Sequence, residues 1–293
     1  MQHIGILFGM ENNFPNAVME RINQKQSRFI AQPVHISDVL DNRPPRYQVI
    51  IDRISHDVPF YRSYLKQAAY QGAKVINDPF WNSADDKYFN TVLARQQNIP
   101  VPATALLPSY IKPESTGEQS FRNLAYPMQW EEIFHYVGFP AYLKPIYGGG
   151  GKNVFRVENE PEFFEIYSQT GKLTMMLQAA IDYEAYVRCY FVAGQGVHIM
   201  HYEPRLQEMD RYKVFFDIDN DTARAVEYYT ELLNRSLSYQ INSVEFAIKG
   251  GTPYAIDFCN PVPDADVERV GLINAEWFVE AVATLAISRT QCG

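Results

Sequence analysis

The chain is poor in everything that would make a disulfide-stapled, metal-clipped or membrane protein. It has three cysteines in 293 residues, Cys189, Cys259 and Cys292, far apart and without ligand-pair spacing. Reduced thiols in a reducing compartment are the simplest account. The six histidines form no cluster in the sequence. The longest apolar stretch, Val270 to Ser288, is interrupted by Glu276 and Glu280, which suits a packed helix and gives no reason to expect a membrane partner. The first residues, Met1 to Gly9, lack a basic region and are too short an apolar run for a signal peptide. The expected location is the cytoplasm. There is no excess of positive charge either, since the formal net charge is −8. A general polyanion-binding surface is excluded, nucleic acid is not an expected partner, and any phosphate recognition has to be local.

Two familiar nucleotide loops are also missing. A P-loop needs Gly five residues before its Gly-Lys pair and Ser or Thr after the Lys, and those positions hold Ile146 and Asn153. A dinucleotide fingerprint counted from Gly148 would need Gly where Asn153 stands. Internal repeats and low-complexity tracts are absent.

What is present is an ordinary globular composition, 46% hydrophobic and 20% charged, in a chain long enough for two or three subdomains around more than one core. Apolar runs at His3–Phe8, Tyr47–Ile54 and Lys74–Ile76 alternate with helical spacing at Pro15–Asn23 and Val58–Tyr70. They predict a small parallel α/β domain over residues 1–80. Ligands gather at the carboxyl ends of such strands, which points to Glu11 and Asn12 after the first and to Arg53, Ser55 and His56 after the second. Ser83 and Asp86 form a weakened capping box opening a helix whose apolar face is Phe89, Val92 and Leu93. Residues 108–129, with three prolines and no periodicity, read as an extended loop. Later strands are predicted at Met175–Ile181, Tyr186–Val192 and Val197–Tyr202, then Ser243–Ile248 and Pro253–Phe258 joined by a turn at Lys249-Gly250-Gly251.

The most informative stretch is Lys144-Pro145-Ile146-Tyr147-Gly148-Gly149-Gly150-Gly151-Lys152, placed after the apolar run Phe139–Leu143. Four glycines can fold closely around an anion, because each adopts positive φ freely and none has a side chain to hold a ligand away. The flanking lysines supply charge. A flexible surface turn is the other reading of the glycine run. Downstream, Glu245 and Asp257 fall on the two late strands, where a hairpin would set them side by side with Asn260 just beyond. Two carboxylates and an amide oxygen are ligands that suit Mg²⁺. Solvated strand residues are the competing reading.

With the Lys-Pro glycine hairpin and the late Glu/Asp/Asn group in this order, the chain resembles the ATP-grasp superfamily of carboxylate–amine ligases. The similarity continues upstream in Ser83-Ala84-Asp85-Asp86-Lys87 and Ile99-Pro100-Val101-Pro102 and spans about residues 77–266. It implies an α/β (α+β) fold in three parts: a Rossmann-like pre-ATP-grasp domain over 1–80, a central lid subdomain over 81–180 carrying the glycine loop, and a C-terminal subdomain over 181–293 with the Mg²⁺-binding strands. Residue by residue, it makes Lys87 and Lys144 the ATP phosphate ligands and Gly148, Gly149, Gly150, Gly151 and Lys152 the loop over the phosphates. Gln178, Ala179 and Ala180 would meet adenine, largely through backbone, and Glu184 the ribose. Glu245, Asp257 and Asn260 would hold Mg²⁺, although many members space the last two as Glu-x-Asn where this chain has Asp257-x-x-Asn260. Cys259 between them reads as a small strand residue before it reads as a nucleophile.

Two arginines are candidate catalytic residues. Arg188 follows Glu184 on its strand and Arg205 lies in the next loop. Either could set its planar fork against a phosphate or acyl phosphate, or form a surface ion pair. Asp264 and Asp266 are rim residues able to receive an amine. The expectation is an ATP- and Mg²⁺-dependent enzyme acting on small-molecule carboxylate and amine substrates through an acyl phosphate. A kinase on the same scaffold and a nucleotide-binding regulatory protein without turnover are the alternatives. The substrate and the oligomeric state are not legible, and a homodimer is left open.

Overall fold

The computed structural model describes residues 2–25, 28–81, 86–149 and 151–291. Gly150, Ser83, Ala84, Asp85 and Cys292 therefore lie outside the described residues. Three four-stranded sheets organise the chain.

The first is wholly parallel, in the order β2-β1-β3-β4, with β1 at Gln2–Leu7, β2 at Phe29–Pro33, β3 at Val49–Asp52 and β4 at Lys74–Ile76. Strand β3 is buried along its whole length, as a parallel strand covered on both faces should be. The helices α1 (Asn13–Lys25) and α2 (Pro59–Tyr70) belong to separate cores. Strand β2 escapes the sequence reading because Gln32 and Pro33 interrupt its short apolar run.

The second sheet is antiparallel, in the order β5-β8-β6-β7, from β5 (Thr104–Leu107), β6 (Ala141–Pro145), β7 (Phe155–Val157) and β8 (Met175–Ala179). The helices α4 (Trp130–Val137) and α5 (Glu160–Tyr167) cover it with a nest of aromatic rings around Trp130, Phe134 and Phe163. The helix before it, α3 (Lys87–Gln96), starts at Asp86, whose side chain accepts from the Phe89 amide. Its expected apolar face is corrected in part: Leu93 packs on a core, but Phe89 and Val92 are exposed, while Asn90, Thr91 and Ala94 are buried. The physical reason is that this helix turns a polar face toward the site described below, while Phe89 packs edge-on to Trp81.

The third sheet runs β10-β9-β11-β12, with β9 at Ala185–Val192, β10 at Gly196–His201, β11 at Ile241–Lys249 and β12 at Thr252–Asp257. Helix α6 (Asn220–Ser236) packs on it. After the short α7 (Val267–Val270), helix α8 (Leu272–Gln291) returns to the first sheet and seals it against β9 and β10. Phe278 of α8 stacks on Phe14 at 4.9 Å and on Tyr190 at 4.2 Å. Among the described residues no helix is long and apolar enough to cross a membrane.

The first and third sheets are also clipped together by one side chain. Asn77, 5% exposed, accepts from the Gln240 and Ile241 amides at 2.7 and 2.8 Å and donates to the Ile241 carbonyl at 2.8 Å. Replacing Asn77 with Ala strands several buried backbone groups and is expected to lower the unfolding free energy by about 2–4 kcal/mol. Urea denaturation measures it, and a change below about 1 kcal/mol would mean that water replaces the amide without penalty.

Candidate active site

Each of three separate elements sends one charged side chain to the same place. Lys87 is the first residue of α3, Lys144 lies near the end of β6, and Asp257 ends β12. Together with Thr91, Met176, Ile256, Phe258 and Cys259 they line one small cavity. Lys87 Nζ donates to both Asp257 oxygens, at 2.8 and 2.9 Å. Lys144 Nζ donates to the Ile256 carbonyl at 3.1 Å. The Lys87 amide donates to the Ile146 carbonyl at 3.0 Å, so the start of α3 is tied to the root of the glycine hairpin. A helix N-terminus there adds its partial positive charge to that of the lysines.

Burial works against the Lys87 charge, but Asp257 outweighs it and the ammonium is held above its ordinary range. Burial likewise opposes the Asp257 carboxylate, and Lys87 and Lys144 overcome it and keep that group below its ordinary value. Lys144 donates only to a carbonyl, and burial, joined by the neighbouring Lys87 charge, outweighs Asp257 and lowers it to about 8.

The second carboxylate stands where the hairpin reading put it. Glu245 and Asp257 are direct partners across β11 and β12. Glu245 accepts from Tyr186 Oη at 2.7 Å and lies 3.4 Å from Arg188 Nε. Arg188 in turn donates to Tyr212 Oη at 2.8 Å and lies over the Tyr202 ring. Burial disfavours its charge, yet Glu245 beside it drives its pKa upward. The Asn260 amide, oriented to satisfy its neighbours, accepts from Arg188 Nη2 at 2.6 Å and Ser243 Oγ at 2.9 Å and donates to the Val262 carbonyl at 3.1 Å. Three cations thus face two carboxylates inside a chain that is acidic overall. The site is the local cationic pocket that the net charge requires of any phosphate binder here.

Glu245, Asp257 and Asn260 match a hard divalent cation in donor type. Among the described residues no group of three or more His, Cys, Asp or Glu side chains could hold a metal ion. The third protein ligand would therefore have to be the amide. Each of the three donors already has a partner within the protein.

The remaining candidates spread outward. Gly148, Gly149, Gly151 and Lys152 lie exposed between β6 and β7, with φ of 104° at Gly148 and 71° at Gly151, values that favour glycine. Gln178 is buried on β8 beside Thr104. Ala179 and Ala180 spend their amides on the Ala103 and Pro140 carbonyls. Glu184 is exposed and accepts from the Gly250 amide at 3.2 Å. Arg205 is set apart from the lysines. It forks onto Glu203 at 2.8 and 2.6 Å and covers the Tyr183 ring at 4.4 Å. That hydrogen bonding, mainly from Arg205, holds Glu203 at about 2. Asp266 is the N-cap of α7 and Asp264 accepts from the Asp266 amide.

Sequence reasoning did not find Tyr186, Tyr202 and Tyr212, which enclose Arg188 and Glu245. The available signal was the tyrosine recurring at positions 186, 190 and 202 around a strand arginine.

No protein-family model matches this chain, and no curated protein matches it by sequence. Solved structures do match. The RimK-domain ATP-grasp protein of Sphaerobacter thermophilus is 16% identical with a TM-score of 0.66, over 97% of this chain and 99% of that one. The D-alanine–D-alanine ligase of Bacillus anthracis, in a complex with ATP, is 13% identical with a TM-score of 0.66, over 100% of both chains. The VanG D-Ala:D-Ser ligase of Enterococcus faecalis is 13% identical with a TM-score of 0.70, over 98% of this chain and 99% of that one. The chain has the ATP-grasp fold.

Lys144 and Lys87 should be separable by titration. Lys144 is expected to lose its proton near pH 8, with Lys87 remaining charged well above it, as read by NMR of ¹³C-methylated lysines with Lys144→Arg for assignment. A Lys144 titration above pH 10 would refute its burial beside only partial compensation.

Proposed function

We propose that this protein is an ATP- and Mg²⁺-dependent ligase that joins a carboxylate to an amine through an acyl phosphate. The observation that carries the reading is the convergence of Lys87, Lys144 and Arg188 on paired Glu245 and Asp257 at the root of the glycine hairpin. In an ATP-grasp fold this is where polyphosphate charge would be met.

Lys144 and Lys87 would hold the phosphates, Lys87 exchanging Asp257 for a phosphate oxygen. Amides of residues 148–151 and Lys152 would close over them. Gln178, Ala179 and Ala180 would border the adenine, and because the Ala179 and Ala180 amides are engaged, the contact there falls to carbonyl and side-chain groups. Glu184 would take the ribose. Glu245, Asp257 and Asn260 would hold Mg²⁺, which when bound offsets the charge of the phosphates. The substrate carboxylate would attack the γ-phosphorus, breaking its bond to the ADP oxygen. The amine would then add to the acyl carbon and expel inorganic phosphate. Arg188, held by Glu245, Tyr212 and Asn260, would face the developing negative charge with little reorganisation. Positioning and charge supply the acceleration, so no protein nucleophile is needed. Arg205, paired with Glu203, would act at the edge of the cleft, steering a carboxylate substrate inward.

Lys144→Ala is expected to lose ATP binding in calorimetry, and wild-type affinity in that variant would sink the phosphate-ligand role. Phosphate release over a panel of amino acids and short peptides, with Asp257→Ala as blank, tests turnover. Hydroxylamine distinguishes the outcomes, since an acyl phosphate yields a hydroxamate and a phosphate ester from a kinase does not.

A further inference from the structure

The parallel sheet has its topological switch point between β1 and β3. Strand β1 has β2 on one side and β3 on the other, and the helices that leave β1 and β3 belong to different cores. Crevices at such a point, outside the carboxyl ends of the strands, are where open α/β sheets take ligands. Here the crevice is bordered by Glu11, four residues beyond β1, and by Arg53, the first residue beyond β3.

Arg53 is 5% exposed. Its Nε donates to Glu11 Oε2 at 2.9 Å, its Nη2 is shared between Glu11 Oε1 and the Pro263 carbonyl, the latter at 2.7 Å, and its guanidinium lies 4.7 Å from the Phe14 ring centroid. Its Nη1 is buried and has no hydrogen-bond partner among the described residues. A buried guanidinium nitrogen left without an acceptor is costly, and an arriving anion would relieve it.

This region is connected to the site above through packed side chains and one loop. Arg188 and Tyr190 share one face of β9. Tyr190 stacks on Phe278, Phe278 stacks on Phe14, and Phe14 underlies Arg53. The loop that carries Asn260 runs on to Pro263, on which Arg53 donates, and to Asp264, whose carbonyl accepts from Tyr190. Arg188 and Arg53 thus stand near the two ends of one buried aromatic stack.

We propose that the β1/β3 crevice is a second anion subsite, in which Arg53 receives a carboxylate on the non-reacting part of the substrate and Glu11 is the internal carboxylate that occupies Arg53 when the subsite is empty. The inference rests on the ligase reading and extends it to substrate class. The substrate is a small acid with two separated anionic groups, one activated beside Arg188 and the other anchored at Arg53. Glu11 has its side chain 27% exposed and can turn outward when displaced.

The probes are succinate, glutarate and adipate, each beside its monoamide, titrated calorimetrically into protein loaded with Mg²⁺ and a non-hydrolysable ATP analogue. The monoamide keeps one carboxylate and loses the other, so the comparison isolates the second anion. At least one diacid should bind about tenfold or more tightly than its monoamide, the fold-change of one charge-assisted hydrogen bond. Arg53→Gln should erase that ratio, and Glu11→Gln, by removing the internal competitor, should tighten the diacid severalfold. Equal binding of every diacid and monoamide, no binding of any, or a ratio kept in Arg53→Gln overturns the proposal. If Arg53→Gln does not fold, Glu11→Gln decides: unchanged or weakened diacid binding is the overturning result. Analogue binding in the wild-type protein separates the two readings, because its absence sinks the ATP site, whereas its presence without a diacid preference sinks only the second subsite.

Discussion

Asp257 is the group on which three pieces of the chain converge. Lys87 reaches it from α3 and Lys144 adjoins it from the second sheet, while Asp257 itself belongs to the third. Two ammonium groups this close in a buried place would repel each other and resist burial unless a carboxylate lay between them. Asp257 keeps 38% of its side chain exposed, so water screens the pair and removing one partner should cost less than the roughly 3–5 kcal/mol of a fully buried pair. The carboxylate therefore lets the two lysines share one pocket in the absence of any other anion. Under the proposed ligase reading, charge preorganised in this way would leave little reorganisation for phosphoryl transfer.

The same constraint explains why the pieces have to be held in fixed relation. A site assembled from three elements tolerates little drift, and misplacement of about 1 Å can cost a large rate factor. Two devices hold the first sheet to the third: the Asn77 clip on β11 and the stack of Phe14, Phe278 and Tyr190 supplied through α8. The second sheet is tied in by backbone, through the Lys87 amide on Ile146. Arg188 is fixed differently, by a local cage in which it donates to Tyr212 and Asn260 and covers the Tyr202 ring, while its buried Nε lies 3.4 Å from Glu245 without a hydrogen bond among the described residues.

Much of this was readable in the sequence, and what was not has identifiable causes. Lys144 stands out because it ends an apolar strand that leads into four glycines. The pairing of Glu245 with Asp257 follows from two strands joined by a short turn, in which Gly250 and Gly251 both take positive φ. The buried face of α3 is not legible from its apolar spacing, because the helix buries the polar Asn90 and Thr91, leaves Phe89 and Val92 outside and packs Leu93 on a core. Strand β2 was missed for its Gln-Pro ending. Asn77 and Arg53 act on groups 164 and 210 residues away, respectively, and no local pattern reports such a contact. Arg205 belongs to the opposite case, since its acceptor Glu203 is only two residues distant and was present in the sequence to be weighed.

One irregularity gives Lys144 its hydrogen-bond acceptor. Along β11 and β12 the register shifts between Glu245, which faces Asp257, and Phe246, which faces Ala255, so Ile256 is an extra residue on the edge strand. Such a bulge bends a strand and frees a backbone group from the ladder. The carbonyl that receives Lys144 is that of Ile256. The bulge thus gives Lys144 a neutral acceptor, and the incomplete compensation of its charge lets burial bring it to about 8. Lys144, which donates to a carbonyl and not to a carboxylate, is the cation in this pocket whose charge is least compensated.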